Sequence, residues 1–514
     1  MSHSILPDKA ISPSFDDGVR EIAKQLDGDS AVLHADGLKG ASRSFFLARL
    51  VEATTRPIVV LTSNQNSGES LIGDLRYFYH FNNIKNVPRF FPTWEILPYE
   101  NLSPLAEISG ERLEILNRLQ RGKIPFLVVP VEALMQCVIP RAELDNQTFP
   151  ITKGDSLDRE FLEACLFDNG YTRIPLVENR GEFSVRGDIV DVFPTASTNP
   201  LRFEFFDDIV ESIREFDIGS QVSLKEIKEI EILPVREVSP TPGQKDAGLE
   251  KISKLAEKQG ADPAGLNELL DKIQHLGNFV GMEHLAPFFY PRRETLFDYF
   301  SKDTVIVFDE EEDVRSKIGH YHEIIHTEFN SACDRGDVVA PPDWFYLEPE
   351  EINRRLADIK TITINTLNIE SDDVPTVRFN IKTNPVLQGK FEVFAEKGME
   401  WEKENRRVVV VAPTKGQVKR VHELLGEYDL DADVDRGYVS NGFHCPDLNL
   451  TFVAEHEIFG RTHKHRYRRK PKSQSFQRGF KDLKPGDYLV HIDYGIGRYM
   501  GTRELETGVG SGNF

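Results

Sequence analysis

At 514 residues, 39% of them hydrophobic and 28% charged, the chain is too long for a single core and has the size of roughly three to five globular units. A formal charge of −21 excludes a surface that follows nucleic-acid phosphate throughout, since that mode needs clustered Lys and Arg. No apolar run approaches the roughly 20 residues of a membrane span, the opening MSHSILPDKA lacks a signal-peptide layout, and the four cysteines are scattered with no CxxC pair, so a cytoplasmic protein with no membrane contact, no zinc site and no disulfide framework is expected.

Residues 1–137 carry short apolar runs, Ala31 to Ala35, Pro57 to Thr62 and Pro125 to Pro130, separated by helical spacing. This predicts a doubly wound parallel α/β unit. The first run leads into Asp36-Gly37-Leu38-Lys39-Gly40-Ala41-Ser42-Arg43-Ser44, where a P-loop would cradle nucleotide phosphates. Such a loop needs a small glycine, so that backbone N–H groups approach phosphate, and a lysine that reaches the β and γ oxygens. Ser42 and Arg43 occupy those positions ahead of Ser44. Serine crowds the turn and arginine is a planar fork rather than a compact ammonium, so the loop is expected to be degenerate and to hydrolyse no ATP.

Over 138–223 the pattern changes to short alternating strands. Phe183, Val185, Ile189, Val190, Val192 and Phe193 interleave with charged residues, and Gly187 divides the run into a hairpin. Leu201 to Asp217 repeats the device around an acidic turn at Asp207-Asp208. A small antiparallel sheet of this kind buries one face and presents charge on the other, and Arg173 and Arg186 are candidates for the charged face.

Residues 224–372 return to α/β. Glu237 to Gln244 reads as a surface loop, Leu249 to Leu276 as an amphipathic helix and Thr304 to Phe308 as a buried strand. Asp309-Glu310 superficially suggests a Walker B pair, but without a working loop the run Asp309 to Asp313 is expected to be a solvated strand end and helix start; Glu457 invites the same comparison. A boundary near Asn368 to Pro375 precedes a small α/β domain at 373–460. A basic linker follows at 461–481, where Arg461 to Lys472 packs seven Lys or Arg residues into twelve. It reads as a solvated connection, with contact to DNA phosphate or an acidic partner as the alternative. From 482 to 514 the chain is a glycine-punctuated β segment. No Ser/His/Asp or metal-ligand arrangement is recognised, so neither a catalytic nor a metal site is expected.

The segments GEFSVRGDIVDVFP, Phe91 to Leu116 (FPTWEILPYENLSPLAEISGERLEIL) and Gly281 to Pro291 (GMEHLAPFFYP) resemble the UvrB-homology module of the bacterial transcription-repair coupling factor (Mfd) family, a module shared with the excision-repair helicase UvrB. Gly486 to Gly501 (GDYLVHIDYGIGRYMG) is similar to the start of that family's RNA-polymerase-interacting domain, found also in CarD-type regulators. The resemblance covers nearly the whole chain. It implies a fold of several domains: a UvrB-like α/β domain with a degenerate P-loop, split at 1–137 and 224–372 around an inserted, mostly-β domain; a small α/β domain; and a partial Tudor-like β domain.

It also implies partners. The inserted domain would bind UvrA, the damage-recognition ATPase, with Arg173 and Arg186 matching two UvrB arginines, although Ser184 stands where UvrB has a third. The Tudor-like segment would bind the β subunit of RNA polymerase by strand addition through Leu489, His491 and Ile492. The chain reads as a monomeric, non-catalytic scaffold of transcription-coupled nucleotide excision repair with no cofactor of its own. ATP, Mg and DNA translocation would belong to the motor half of the parent, and DNA contact would be weak or made through that motor. The alternatives are a UvrB-like DNA-dependent ATPase and, on the last thirty or so residues alone, a CarD-like regulator of initiation.

Overall fold

The computed structural model describes residues 14–28, 31–276, 279–290, 292–367, 374–387 and 389–460, together with the backbone of four short strands between 488 and 513. The chain divides into two compact units. One comprises Met1–Phe149, Asp168–Gly170 and Glu231–Arg468; the other comprises Pro150–Phe167, Tyr171–Ile230 and Arg469–Phe514.

The first unit is built on a seven-stranded sheet. Across it lie Thr376–Arg378, Val32–Asp36, Lys360–Asn365, Val305–Asp309, Ile58–Thr62, Phe126–Pro130 and Arg89–Phe90, with all neighbours parallel. Both faces are covered, so the central strands read as unbroken apolar runs rather than alternating ones. Along Ile58–Thr62, Ile58 and Val60 enter one core while Val59 and Leu61 enter the other.

A second sheet in the same unit orders Asp433–Arg436, Arg407–Ala412, Leu450–Ala454 and Phe443–Cys445, the last pair antiparallel. It has its own core beneath helices Phe391–Lys403 and Lys415–Glu427. It also shares one with the large sheet. Phe45 and Phe78, from helices Ser42–Ala53 and Gln65–Phe81, meet Phe452 at ring-centroid distances of 5.9 and 5.2 Å. Offset and edge-on aromatic pairs of this kind add about 0.5–1.5 kcal/mol each beyond the area they bury.

Three sequence expectations are corrected in this unit. The stretch Leu249 to Leu276 is two helices, Pro242–Gln259 and Pro263–His275. Gly260 ends the first in the left-handed region (φ 65°), and Asp262 caps the second by accepting from the Gly265 N–H at 2.9 Å ahead of Pro263. Glu237 to Gln244 is not a surface loop, because Glu237 and Val238 are buried and Thr241 caps a helix that begins at Pro242. Asp309 is not solvated; it is buried at the end of its strand.

The second unit holds a six-stranded sheet ordered Ser223–Ile227, Ile209–Phe216, Leu201–Phe206, Ile189–Val192, Glu182–Arg186 and Thr172–Arg173, antiparallel except for the final pair. The expected hairpin forms with Gly187 at φ 59°, a conformation that glycine adopts without steric cost, and Asp207 takes φ 55° in the acidic turn. Phe183, Val190, Val192, Phe203 and Ile213 line the core face, where Phe167 of helix Arg159–Asp168 sits edge-on to Phe183 at 5.2 Å.

Near the C-terminus Tyr488–His491 pairs antiparallel with Gly495–Arg498, and Glu504–Thr507 with Gly510–Asn513. Leu489 and His491 fall on the first of these strands. Ile492, the basic stretch 461–481 and the boundary at 368–373 lie outside the described residues. No helix among the described residues is long and apolar enough to cross a membrane.

Candidate functional site

Two places carry the residues singled out by sequence. The first is the loop after Val32–Asp36. Gly37 and Gly40 both take positive φ, 83° and 58°, and Ala41 precedes helix Ser42–Ala53 with no side-chain cap. Three backbone donors of this turn are engaged by protein. Gly37 N–H donates to the Asn365 carbonyl at 2.9 Å, Ala41 N–H to the Asn441 carbonyl at 3.2 Å and Ser42 N–H to the Lys39 carbonyl at 3.2 Å. A Cβ on Gly40 would stand 3.2 Å from the Gly442 carbonyl oxygen, so the segment Asn441–Gly442 of the small sheet lies directly on the loop.

Arg43 turns inward. Its Nη1 donates to the Asp309 carboxylate at 2.7 Å and lies 3.8 Å from Glu310, and its Nε donates to the Gly40 carbonyl at 3.5 Å. The nearby Asp309 carboxylate raises the guanidinium pKa further, while burial pushes the Asp309 carboxyl up and Arg43 draws it back. Ser42 is fully buried, and Ser44 donates to the Leu71 carbonyl. Behind Arg43, Asp74 is buried and accepts from both the backbone N–H and the hydroxyl of Ser440 at 2.6 Å. Burial pushes its pKa up to about 7. Asp74, Ser440 and Asn441 are distant in sequence from the loop, and only the packing of the two sheets brings them to it.

The second place is the solvent-facing side of the six-stranded sheet. Strand alternation puts Ser184 and Arg186 on this side with Asp191, Arg202, Glu204 and Phe206. Asp191, 1% exposed, accepts from Arg186 Nη2 at 2.7 Å and from Arg202 Nε and Nη2 at 2.7 and 3.0 Å. Arg202 also stacks over the Phe216 ring at 4.5 Å, and its hydrogen bonds to Asp191 raise its pKa. Arg186 keeps about half its side chain in solvent, and at the tip of the adjoining hairpin Phe206 is 73% exposed beside Ile209.

Arg173 does not share that face. The parallel register sets it opposite Phe183, on the core side, where it leaves the sheet edge and pairs with Glu163 of helix Arg159–Asp168 at 2.8 Å. The expectation of one charged face carrying both arginines is thus corrected. The second guanidinium beside Arg186 is Arg202, which alternates with Phe203 and Phe205 along its strand. Ser184 is buried directly across the hairpin from Asp191.

One grouping was missed outright. His322, His326 and Glu348 bring ligand atoms within 4.8 Å of one another, and the run His322-Glu323-Ile324-Ile325-His326 was its sequence signal.

The parallel α/β scaffold is interrupted in sequence by a six-stranded sheet with an arginine-bearing outer face. Residues 149–237 match the UvrB interaction domain, and 483–513 match the CarD-like/TRCF RID domain. Over nearly its whole length the chain is similar to the transcription-repair-coupling factors. It is 31% identical to that of Myxococcus xanthus over 94% of this chain and 43% of the relative, and 26% identical to that of Bacillus subtilis over 91% and 42%. For Haemophilus influenzae the identity is 30% over 81% and 38%. The chain spans about two fifths of the length of the curated relatives it matches.

Proposed function

We propose that this chain is the recruiting part of a transcription-coupled nucleotide excision repair factor, and that it docks UvrA through the outer face of the six-stranded sheet. The observation that carries the reading is Arg186 held half-exposed by a buried Asp191 on the same face of the sheet as the exposed Phe206, within the segment that matches the UvrB interaction domain. Arginine and aromatic anchors dominate binding energy at protein interfaces, and a guanidinium already oriented by a carboxylate loses little freedom on docking. Arg173, on the edge of the sheet, would touch the partner from the side. The CarD-like segment, with Leu489, His491 and Ile492, would engage the β subunit of RNA polymerase by strand addition.

In this reading the chain acts without hydrolysing nucleotide. Three of its loop donors, the N–H groups of Gly37, Ala41 and Ser42, are engaged by protein carbonyls, and Arg43 spends its charge on Asp309. ATP-driven translocation on DNA is assigned to the part of the relatives that this chain does not span. The test is retention of purified UvrA by the immobilised chain and by its R186E and F206A variants. Each change should lower retention by about tenfold or more, as loss of an interface hot spot does. Undiminished retention of UvrA by R186E/F206A would overturn the assignment.

A further inference from the structure

We propose that His322, His326 and Glu348 form a binding site for a divalent transition-metal ion of the zinc type, which would clamp helix Glu311–Asp334 to the start of helix Pro349–Ala357. The two histidines are one helical turn apart and therefore project from the same face. The intervening Ile325 is buried and fixes that face against the core. Glu348 reaches the pair from the N-cap position of the second helix, yet its carboxylate makes no capping hydrogen bond and turns to the imidazoles instead. Tyr346, buried, and Tyr321, partly buried, are edge-on at 6.4 Å and hold the two segments together beside the cluster.

The three ligand atoms lie close together. His322 Nε2 lies 2.6 Å from Glu348 Oε2 and 3.0 Å from His326 Nε2, and His326 Nε2 lies 3.9 Å from Glu348 Oε1. A proton on His322 Nε2 that satisfies Glu348 leaves His326 Nε2 facing a hydrogen already spent. Protons on both Nε2 atoms would oppose each other across 3.0 Å. A cation among them removes the conflict, because each nitrogen then offers a lone pair. Tetrahedral zinc with bonds of about 2.0–2.1 Å sets its ligands about 3.3 Å apart, a value bracketed by the separations here, 2.6 and 3.0 Å below it and 3.9 Å above. Two imidazoles and one carboxylate select a borderline ion over Ca²⁺ or Mg²⁺, and the partly exposed side chains leave a fourth position for water.

Sequence and geometry agree on the ligands and diverge on hydrolysis. His-Glu-x-x-His on a helix is a zinc-ligand spacing in which metallopeptidases use the glutamate as base. Here Glu323 is 81% exposed and points towards His320 at 3.9 Å, so the arrangement is suited to holding an ion rather than to cleaving a peptide.

The experiment uses the full 514-residue chain, stripped with chelator and titrated with Co²⁺ alone. One equivalent should bind with the visible absorption of a low-coordinate site, and Zn²⁺ should displace it and raise the melting temperature. In H322Q/H326Q both effects should fall by about tenfold or more, the size that loss of even an outer-shell partner produces. E348Q should weaken binding while leaving the fold unchanged by circular dichroism. E323Q should bind as the parent does. A parent chain that takes up no cobalt, or a folded H322Q/H326Q chain that takes it up with undiminished affinity through other histidines, overturns the proposal.

Discussion

Arg43 and Asp309 lie on different strand-to-helix turns of the parallel sheet and meet across 2.7 Å. Asp309 is 8% exposed, so its charge depends on this partner. Removing one member of a fully buried pair costs about 3–5 kcal/mol. Because Arg43 is 28% exposed at its side chain, Arg43→Ala should cost somewhat less, about 2–3 kcal/mol after allowance for solvent screening. Urea denaturation of the two chains measures this directly. An Asp309→Asn change in the same background should recover part of the loss.

The same geometry predicts that installing the residues of a nucleotide loop creates no catalysis. In Ser42→Gly/Arg43→Lys the Ala41 N–H still donates to the Asn441 carbonyl, and the Asn441–Gly442 segment still lies on Gly40. Phosphate release from ATP, with and without DNA, should stay at the background rate in both the parent and the double variant. Turnover by the parent that is abolished when Arg43 is replaced would instead support the UvrB-like ATPase.

Asp74 makes stability depend on pH in a particular direction. Its folded pKa of about 7 lies above its ordinary value of 3.8 because burial disfavours the carboxylate. The folded state therefore holds the proton more tightly than the unfolded chain. The contribution is fully present below about pH 4 and is lost as pH rises through about 7. Asparagine can accept from the Ser440 N–H and donate to its hydroxyl, so Asp74→Asn should flatten this part of the profile. At pH 8 it should raise stability by on the order of 2 kcal/mol, below the ceiling that 1.36 kcal/mol per pKa unit would give. Melting temperatures between pH 5 and 8 test the slope. An unchanged slope would place the titrating group elsewhere.

Much of the fold was legible because local signals and burial agreed. Unbroken apolar runs such as Pro57 to Thr62 became central parallel strands, and Gly187 and Asp207-Asp208 turned the hairpins where a positive φ was needed. What escaped reading depended on partners far away in sequence. Glu237, in a Pro- and Ser-rich stretch with every mark of a surface loop, is buried because Arg112 waits 125 residues upstream. Asp309 ends a strand and was expected to be solvated, but Arg43 neutralises it. Arg173 and Arg186 look equivalent along the chain. Only strand register reveals that they leave the sheet on opposite sides. The histidine pair had a recognisable spacing, yet its third ligand is set by the packing of two helices.

The Asp191 crossroads should separate docking from folding. Its carboxylate is shared by Arg186 and Arg202, so Asp191→Asn leaves two guanidinium groups competing for one neutral acceptor. Hydrogen bonds to a charged group contribute about 1.5–3 kcal/mol, and the variant should lose stability of that order. Arg202→Gln should lose stability too, but with Arg186 still anchored its retention of UvrA should fall less than that of Arg186→Glu. Equal losses of retention would mean that sheet stability, rather than Arg186, governs the interaction.

Arg112 and Glu237 form a deeply buried charge pair of the large unit. Arg112, fully buried, donates through Nε and Nη2 to Glu237 at 2.5 and 3.2 Å and through Nη1 to the Pro92 carbonyl at 2.8 Å, while Trp94 Nε1 adds a further donor to Glu237 at 2.9 Å. The guanidinium also lies 4.4 Å over the Phe91 ring. Every strong donor in this knot has an acceptor, so the pair is tolerated at depth, but neither member is tolerated alone. Glu237→Ala should therefore destabilise the chain by about 3–5 kcal/mol. Replacing both partners with apolar residues of similar volume, Arg112→Met with Glu237→Leu, should cost less than Glu237→Ala, because no buried charge is left unpaired. Denaturant unfolding of the single and double variants gives the coupling. Strict additivity of the two changes would show that the pair is not the unit that holds this core.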